Sequence, residues 1–289
     1  MSPTPNTIVL IHGLWMTPCG WQLFRDFYEA RGFRVLAPPW PRLHARVEEV
    51  RRDPSALAGL GVQEIVEHYA AVVRTLPDPP ILIGHSFGGL IVQMLLDRGL
   101  GAAGVSLDGT VPKGILTLPL SVLRAASPVL GNPLNYWRTV MLTFEQFRYA
   151  FANTMGEAAA REAYERHAIP GPGRPIFQAA FANFVPNAAT TVNRRNRSRP
   201  PLLLISGSED HLVPAALNRT NHRLYAGSGA VTEYREFTGR SHLLIAQEGW
   251  QEVAEFALNW ATAKAAATPA PWMPRPFRSD DSCQAMLGA

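Results

Sequence analysis

One serine stands between glycines in Gly84-His85-Ser86-Phe87-Gly88, behind the aliphatic run Ile81-Leu82-Ile83 and ahead of Leu90-Ile91-Val92. This is a G-x-S-x-G pattern in its required context, a buried strand before it and an apolar helix after it. A serine on so sharp a turn needs room, and glycines two before and two after it remove side chains that would meet the turning backbone. At ordinary acidity the hydroxyl is a weak nucleophile, so it needs a base, and the base needs a carboxylate to orient it. Asp210, in Gly207-Ser208-Glu209-Asp210-His211-Leu212-Val213-Pro214, follows the aliphatic run Leu202 to Ile205, and His242 follows in Gly239-Arg240-Ser241-His242. The chain order serine, acid, histidine is the one this type of nucleophile uses. Asp108, closing Ser106-Leu107-Asp108 behind another aliphatic run, is the second candidate for the acid.

Acyl transfer also needs donors aimed at the developing oxyanion. The amide of Phe87 is one candidate, because it opens a helix where the dipole reinforces it. The amide of Leu14, in Ile11-His12-Gly13-Leu14-Trp15, is the other. His12 and His85 adjoin turns at strand ends and are expected to organise backbone around the site. Trp15 and His85 are the candidates for lining a substrate cavity, and His44, His68, His167 and His222 belong to no such constellation.

Elements that must position these residues are visible as an α/β rhythm. Strands are expected at Thr7 to Gly13, Phe33 to Pro39, Ile81 to His85, Ala102 to Gly109, Pro201 to Asp210 and Val231 to Phe237. Between them, Val62, Ile65, Val66, Tyr69, Val72, Val73 and Leu76 keep helical spacing, as do Trp250, Val253, Ala254, Ala257, Leu258 and Ala261. Strands without polar alternation, separated by helices, specify a mostly parallel central sheet covered by helices on both faces. From 110 to 198 the rhythm breaks into helical stretches, aromatics and prolines without a clear strand, which reads as an inserted helical lid. The core is therefore expected over 1–109 and 199–264, and the proline-rich remainder, 265–289, as a flexible tail. Leu116, Leu118, Leu120, Phe144, Phe147, Tyr149, Phe151, Phe177, Phe181 and Phe184 make the lid apolar and point to a hydrophobic acyl or alcohol pocket.

Composition narrows the remaining choices. The 289 residues are 47% hydrophobic with a net charge of +4, enough for one sizeable core. The basic excess is dispersed except at Arg194, Arg195, Arg197 and Arg199, read as a solvated loop or an anion-steering rim; no nucleic-acid partner is expected. Cys19 and Cys283 lie far apart in sequence without a CxxC or His-rich companion, so neither a disulfide framework nor a metal site is expected. With no signal-peptide pattern and no run long enough to span a bilayer, the expected location is cytoplasmic.

With its Ile11 to Gly13, Gly84 to Gly89, Gly207 to Pro214 and Gly239 to His242 motifs in this order, the sequence resembles the α/β-hydrolase fold superfamily, in its capped esterase and lipase-like branch, over about residues 7 to 263. The resemblance implies hydrolysis of an ester or related acyl bond, without metal or organic cofactor, by Ser86, Asp210 and His242. The partner it implies is a small-molecule ester or acyl substrate; a homodimer is compatible with the sequence. Two departures stand out. Only about six residues precede the first strand, so the antiparallel strands that often open the fold are expected to be missing, and the His12-Gly13 turn continues with Leu14-Trp15 instead of a glycine-rich run. The same triad also serves lactonases and carbon–carbon bond hydrolases, and a non-catalytic ligand-binding protein on this fold is the alternative of another class.

Overall fold

The computed structural model describes residues 5–43 and 46–267. Strand β1 (Thr7–Ile11) leads through a short 3-10 turn to helix α1 (Gln22–Glu29) and strand β2 (Arg34–Leu36). Helices α2 (Val47–Arg52) and α3 (Val62–Arg74) precede β3 (Ile81–His85), α4 (Phe87–Asp97) and β4 (Ala103–Leu107). After β4 come α5 (Leu120–Leu130), β5 (Thr139–Val140), α6 (Phe144–Phe151), α7 (Glu157–His167), β6 (Gly171–Pro172) and α8 (Arg174–Ala180). The chain closes with β7 (Leu202–Gly207), α9 (Ala215–Tyr225), β8 (Thr232–Phe237) and α10 (Trp250–Ala267).

Six strands form one sheet in the order β2-β1-β3-β4-β7-β8, every neighbouring pair parallel. Burial explains the aliphatic strands: β1, β3, β4 and β7 are buried along their whole lengths, so neither face tolerates polar alternation. Helix α4 packs on β1, β3 and β4 and joins α3, while Gln93 on α4 accepts from Asn221 (2.8 Å) and Tyr225 (3.2 Å) of α9. On the other face α1 and α10 pack together, and the Tyr28 hydroxyl donates to the Ala254 carbonyl at 3.1 Å. Ten of the eleven residues of α4 are buried, which is why its sequence is apolar all round. The order of strands reverses between β1 and β3, and in open parallel sheets that crevice at the carboxyl ends is where ligands sit.

The segment between β4 and β7 differs from its expected content in one respect. It carries an antiparallel ladder, Thr139 opposite Pro172 and Val140 opposite Gly171, too short to leave a period-two pattern in the sequence. The expected strand from Phe33 to Pro39 contracts to Arg34–Leu36, because Pro38 and Pro39 have no amide to give a ladder. The arginine cluster also divides: Arg195 and Arg197 face solvent, whereas Arg194 and Arg199 turn inward. Arg194 donates to the carbonyls of Lys113 (2.7 Å) and Pro112 (3.1 Å) and to Asn221 (3.1 Å), and Arg199 bonds Thr232 and the Val231 carbonyl. Helix α10 continues to Ala267, past the expected start of the tail; 268–289 lies outside the described residues. No helix among the described residues is long and apolar enough to cross a membrane.

Candidate active site

Ser86 sits between β3 and α4 with φ 57° and ψ −121°, a conformation costly for a residue with a side chain. The turn is held from several sides. Its amide donates to the Leu107 carbonyl at 3.0 Å, and its carbonyl accepts from Gly89 and Thr110, each at 2.9 Å. Close packing explains the flanking glycines: a Cβ on Gly84 would fall 2.1 Å from the Gly88 carbonyl oxygen, and one on Gly88 would fall 2.0 Å from that of Ile11. Three of the four non-glycine residues with positive φ among those described, Trp15 (64°), Ser86 and Asp108 (44°), surround this crevice.

His242 lies in the loop between β8 and α10, fully buried. Its Nδ1–H donates to Asp210 Oδ2 at 2.6 Å. The other oxygen of Asp210 accepts from the amides of Leu212 (2.7 Å) and Val213 (2.8 Å), so the carboxylate is fixed by the loop that follows β7. With Nδ1 protonated, Nε2 keeps its lone pair; it is buried and makes no hydrogen bond in this structure. Phe151 stands edge-on to the imidazole with ring centroids 4.9 Å apart, and its carbonyl accepts from the Leu243 amide at 2.9 Å.

Asp108 is drawn into the same cluster but is not the partner of His242. Its Oδ1 accepts from the Gly207 amide at 2.7 Å, while Oδ2 is buried without a partner. Burial, and then the charge of neighbouring Asp210, push its carboxyl well above the usual carboxylate range. His85 donates Nε2–H to the His242 carbonyl at 2.6 Å, its ring 4.7 Å from that of His242 and edge-on to Trp21. Burial holds this imidazole well below its ordinary value, hence neutral. Ligand atoms of His85, Asp108 and His242 lie within 4.8 Å of one another, close enough to hold an ion in principle. His85 Nδ1, Asp108 Oδ2 and His242 Nε2 are each buried without a hydrogen-bond partner among the described residues.

Facing Ser86 is the turn after β1. His12 donates Nδ1–H to the Gly13 carbonyl at 2.9 Å and accepts at Nε2 from the Trp40 amide at 3.2 Å. Trp40 stacks on the ring at 5.2 Å and returns a hydrogen bond to the His12 carbonyl at 3.2 Å. Burial lowers His12 to about 4, which keeps the neutral tautomer this clamp requires. The Gly13 carbonyl and the Leu14 amide share one peptide plane, so the clamp orients that amide. Neither Leu14 nor Phe87 donates its amide to another backbone carbonyl outside regular elements, and Phe87, first residue of its helix, has no intrahelical acceptor. Trp15 is buried, donates Nε1–H to the Val140 carbonyl at 3.0 Å and meets Phe151 edge-on at 6.0 Å.

The crevice is closed: Ser86 is 2% exposed and Leu14 1%. A cavity of about 280 Å³ beside Met94, Asp97 and Arg98, and another of about 210 Å³ beside Tyr225, contain none of these residues. The apolar residues expected to line a pocket separate into two groups. Phe147 and Phe151 are fully buried and Phe144, Tyr149 and Phe177 partly so, whereas Leu116, Leu118, Leu120, Phe181 and Phe184 face outward. Trp40 and Trp21, which hold His12 and His85, carried no motif to single them out.

An all-parallel sheet with a strained serine after its third strand and a buried histidine–carboxylate pair at the neighbouring strand ends defines an α/β-hydrolase. Residues 8–256 match the family model described as the alpha/beta hydrolase family, and the chain belongs to that family. No curated protein matches the sequence. Among solved structures, the chain is similar to a monoacylglycerol lipase of Paleococcus ferrophilus, with 20% identity and a TM-score of 0.63 over 90% of this chain and 96% of that one. It is similar also to a pyrethroid hydrolase of Sphingobium faniae JZ-2 (20% identity, TM-score 0.63, 91% and 100% covered) and to polyneuridine aldehyde esterase (19%, 0.62, 89% and 99%).

Proposed function

We propose that this chain is a serine hydrolase that cleaves a carboxylic ester or related acyl bond of a small, apolar substrate through an acyl-enzyme. The observation that carries the reading is the buried 2.6 Å hydrogen bond from His242 to Asp210, which leaves Nε2 unprotonated and unoccupied in a ring 4.7 Å from that of His85, the chain neighbour of the strained Ser86. In this reading Ser86 Oγ passes its proton to Nε2 as it attacks the carbonyl carbon. The tetrahedral oxyanion is held by the amides of Phe87 and Leu14, and His242 returns the proton to the leaving alcohol. Water then enters by the same route and releases the acid. Asp210 holds the imidazole in the tautomer that makes Nε2 the base, and neutral His85 fixes the histidine loop through the His242 carbonyl.

Ser86 Oγ makes no hydrogen bond to Nε2 in this closed structure, and such contacts commonly tighten only with substrate present. Among the similar structures are a monoacylglycerol lipase and a pyrethroid hydrolase, and the aromatic wall of Trp15 and Phe151 supports an ester with an apolar part as the substrate here. The test is intact-mass analysis after treatment with a fluorophosphonate. One adduct on the wild type, lost in Ser86→Ala, supports the reading. A folded wild type that forms no adduct overturns it.

A further inference from the structure

The apolar residues that turn outward are gathered on one face. Leu116 is 82% exposed, Leu120 83%, Phe184 81% and Trp137 64%. Asn183 joins the strips that carry them, accepting from the Gly114 amide at 2.7 Å and donating to the Ile115 carbonyl at 2.8 Å, while Lys113 reaches the Val185 and Pro186 carbonyls. Helix α8 packs on α5 and on the 133–137 turn, and Phe177 links Tyr136 of that turn to Phe181. Exposed leucines and aromatics on strips joined in this way are apolar surface of a kind that marks an interaction site.

Charge tells what the partner is. Across 112–138 and 174–187, the strips that carry this face, the charged residues are Lys113, Arg124, Arg138 and Arg174, with no Asp or Glu; Lys113 and Arg174 are engaged by carbonyls and the Tyr136 hydroxyl, and Arg124 and Arg138 are exposed. The acids of the inserted segment, Glu145, Glu157, Glu162 and Glu165, are confined to α6 and α7. A second copy docking on this face by two-fold symmetry would set these cations against their own kind with no acid to pair. An anionic lipid surface meets both features, with acyl chains for the leucines and aromatics and headgroups for the arginines. We infer that this face seats the protein on an anionic lipid surface. The inference does not rest on the proposed catalytic residues.

The test uses the full chain and sedimentation with vesicles of phosphatidylcholine, alone or with about 30% phosphatidylglycerol. The expected result is binding to the anionic vesicles, weakened when salt is raised to about 0.5 M. Replacing Leu116→Ser, Leu120→Ser and Phe184→Ser together lowers that binding about tenfold or more. Arg124→Gln with Arg138→Gln lowers it while preserving the apolar face, so a fold defect in one variant does not decide the outcome. Turnover of a water-soluble acetyl ester stays at the wild-type level in both variants. Absence of vesicle binding by the wild type, binding unchanged in the triple variant, or a wild-type dimer in sedimentation velocity that the triple variant abolishes would each overturn the inference.

Discussion

Gly13→Ala isolates the contribution of the turn that faces Ser86. The added Cβ would lie 2.6 Å from Ser86 Cβ, 3.0 Å from the His85 carbonyl oxygen and 3.2 Å from Ser86 Oγ. Carbon atoms rest at about 3.5–4.0 Å, so the two turns must separate by roughly 1 Å. Ser86 cannot yield easily, since its amide and carbonyl are held by three backbone hydrogen bonds. The Gly13–Leu14 peptide, held chiefly through its carbonyl by His12, is the part that moves. Loss of one oxyanion donor costs about 2.7–4 kcal/mol, so kcat for a p-nitrophenyl acetate assay should fall about 10²–10³-fold. Overpacking costs about 1–3 kcal/mol of stability, and at this chain length the melting temperature drops by about 2–12 °C. A well-folded variant whose kcat stays within about threefold of the wild type would refute the assignment of this turn to the oxyanion site.

Further outcomes follow from the same geometry. Asp210→Asn removes the acceptor that fixes the His242 tautomer and should lower kcat about 10⁴-fold, whereas Asp108→Asn, which keeps an acceptor for the Gly207 amide, should lower it by less than about tenfold; equal losses would contradict the separate roles. His12 is held at about 4 in the folded chain against 6.5 when exposed. Between those values the unfolded state binds the proton and the folded state does not, so stability is lost as pH falls, by about 3 kcal/mol from this group. Urea midpoints that do not shift between about pH 7 and pH 4 would refute it. Trp15→Ala should depress turnover of medium-chain esters and spare acetyl esters, as measured over a p-nitrophenyl series; a uniform loss would assign Trp15 to the scaffold alone.

What the sequence made legible was chemistry with a local signature. Ser86 could be read because a strained turn demands glycines at fixed distances, and the parallel sheet because strands buried on both faces carry uninterrupted aliphatics. His242 and Asp210 were accessible only through chain order and their places after strands. Their contact joins residues 32 apart in the chain, which no local pattern records. The clamp of Trp40 on His12 was hidden for the same reason. Outward-facing Leu116 and Phe184 were misread as pocket residues because apolar composition does not say which side of a thin layer meets solvent. The inward arginines at 194 and 199 run the other way, charged by composition and yet turned against carbonyls, Asn221 and Thr232.

Arg194 has a consequence for how such a chain diversifies. One guanidinium ties the outgoing strip at Pro112 and Lys113 to the returning strip and to Asn221 of α9. Beneath that knot β4 and β7 pair directly, in register from Gly104 with Leu202 to Leu107 with Ile205. Whatever is threaded between 114 and 193 thus leaves the pairing of β4 and β7 in place, while the turns at Trp15 and His242 feel it directly through Val140, Ile169 and Phe151. A change in this segment therefore reshapes the walls around Ser86 and His242 while the sheet beneath keeps its register.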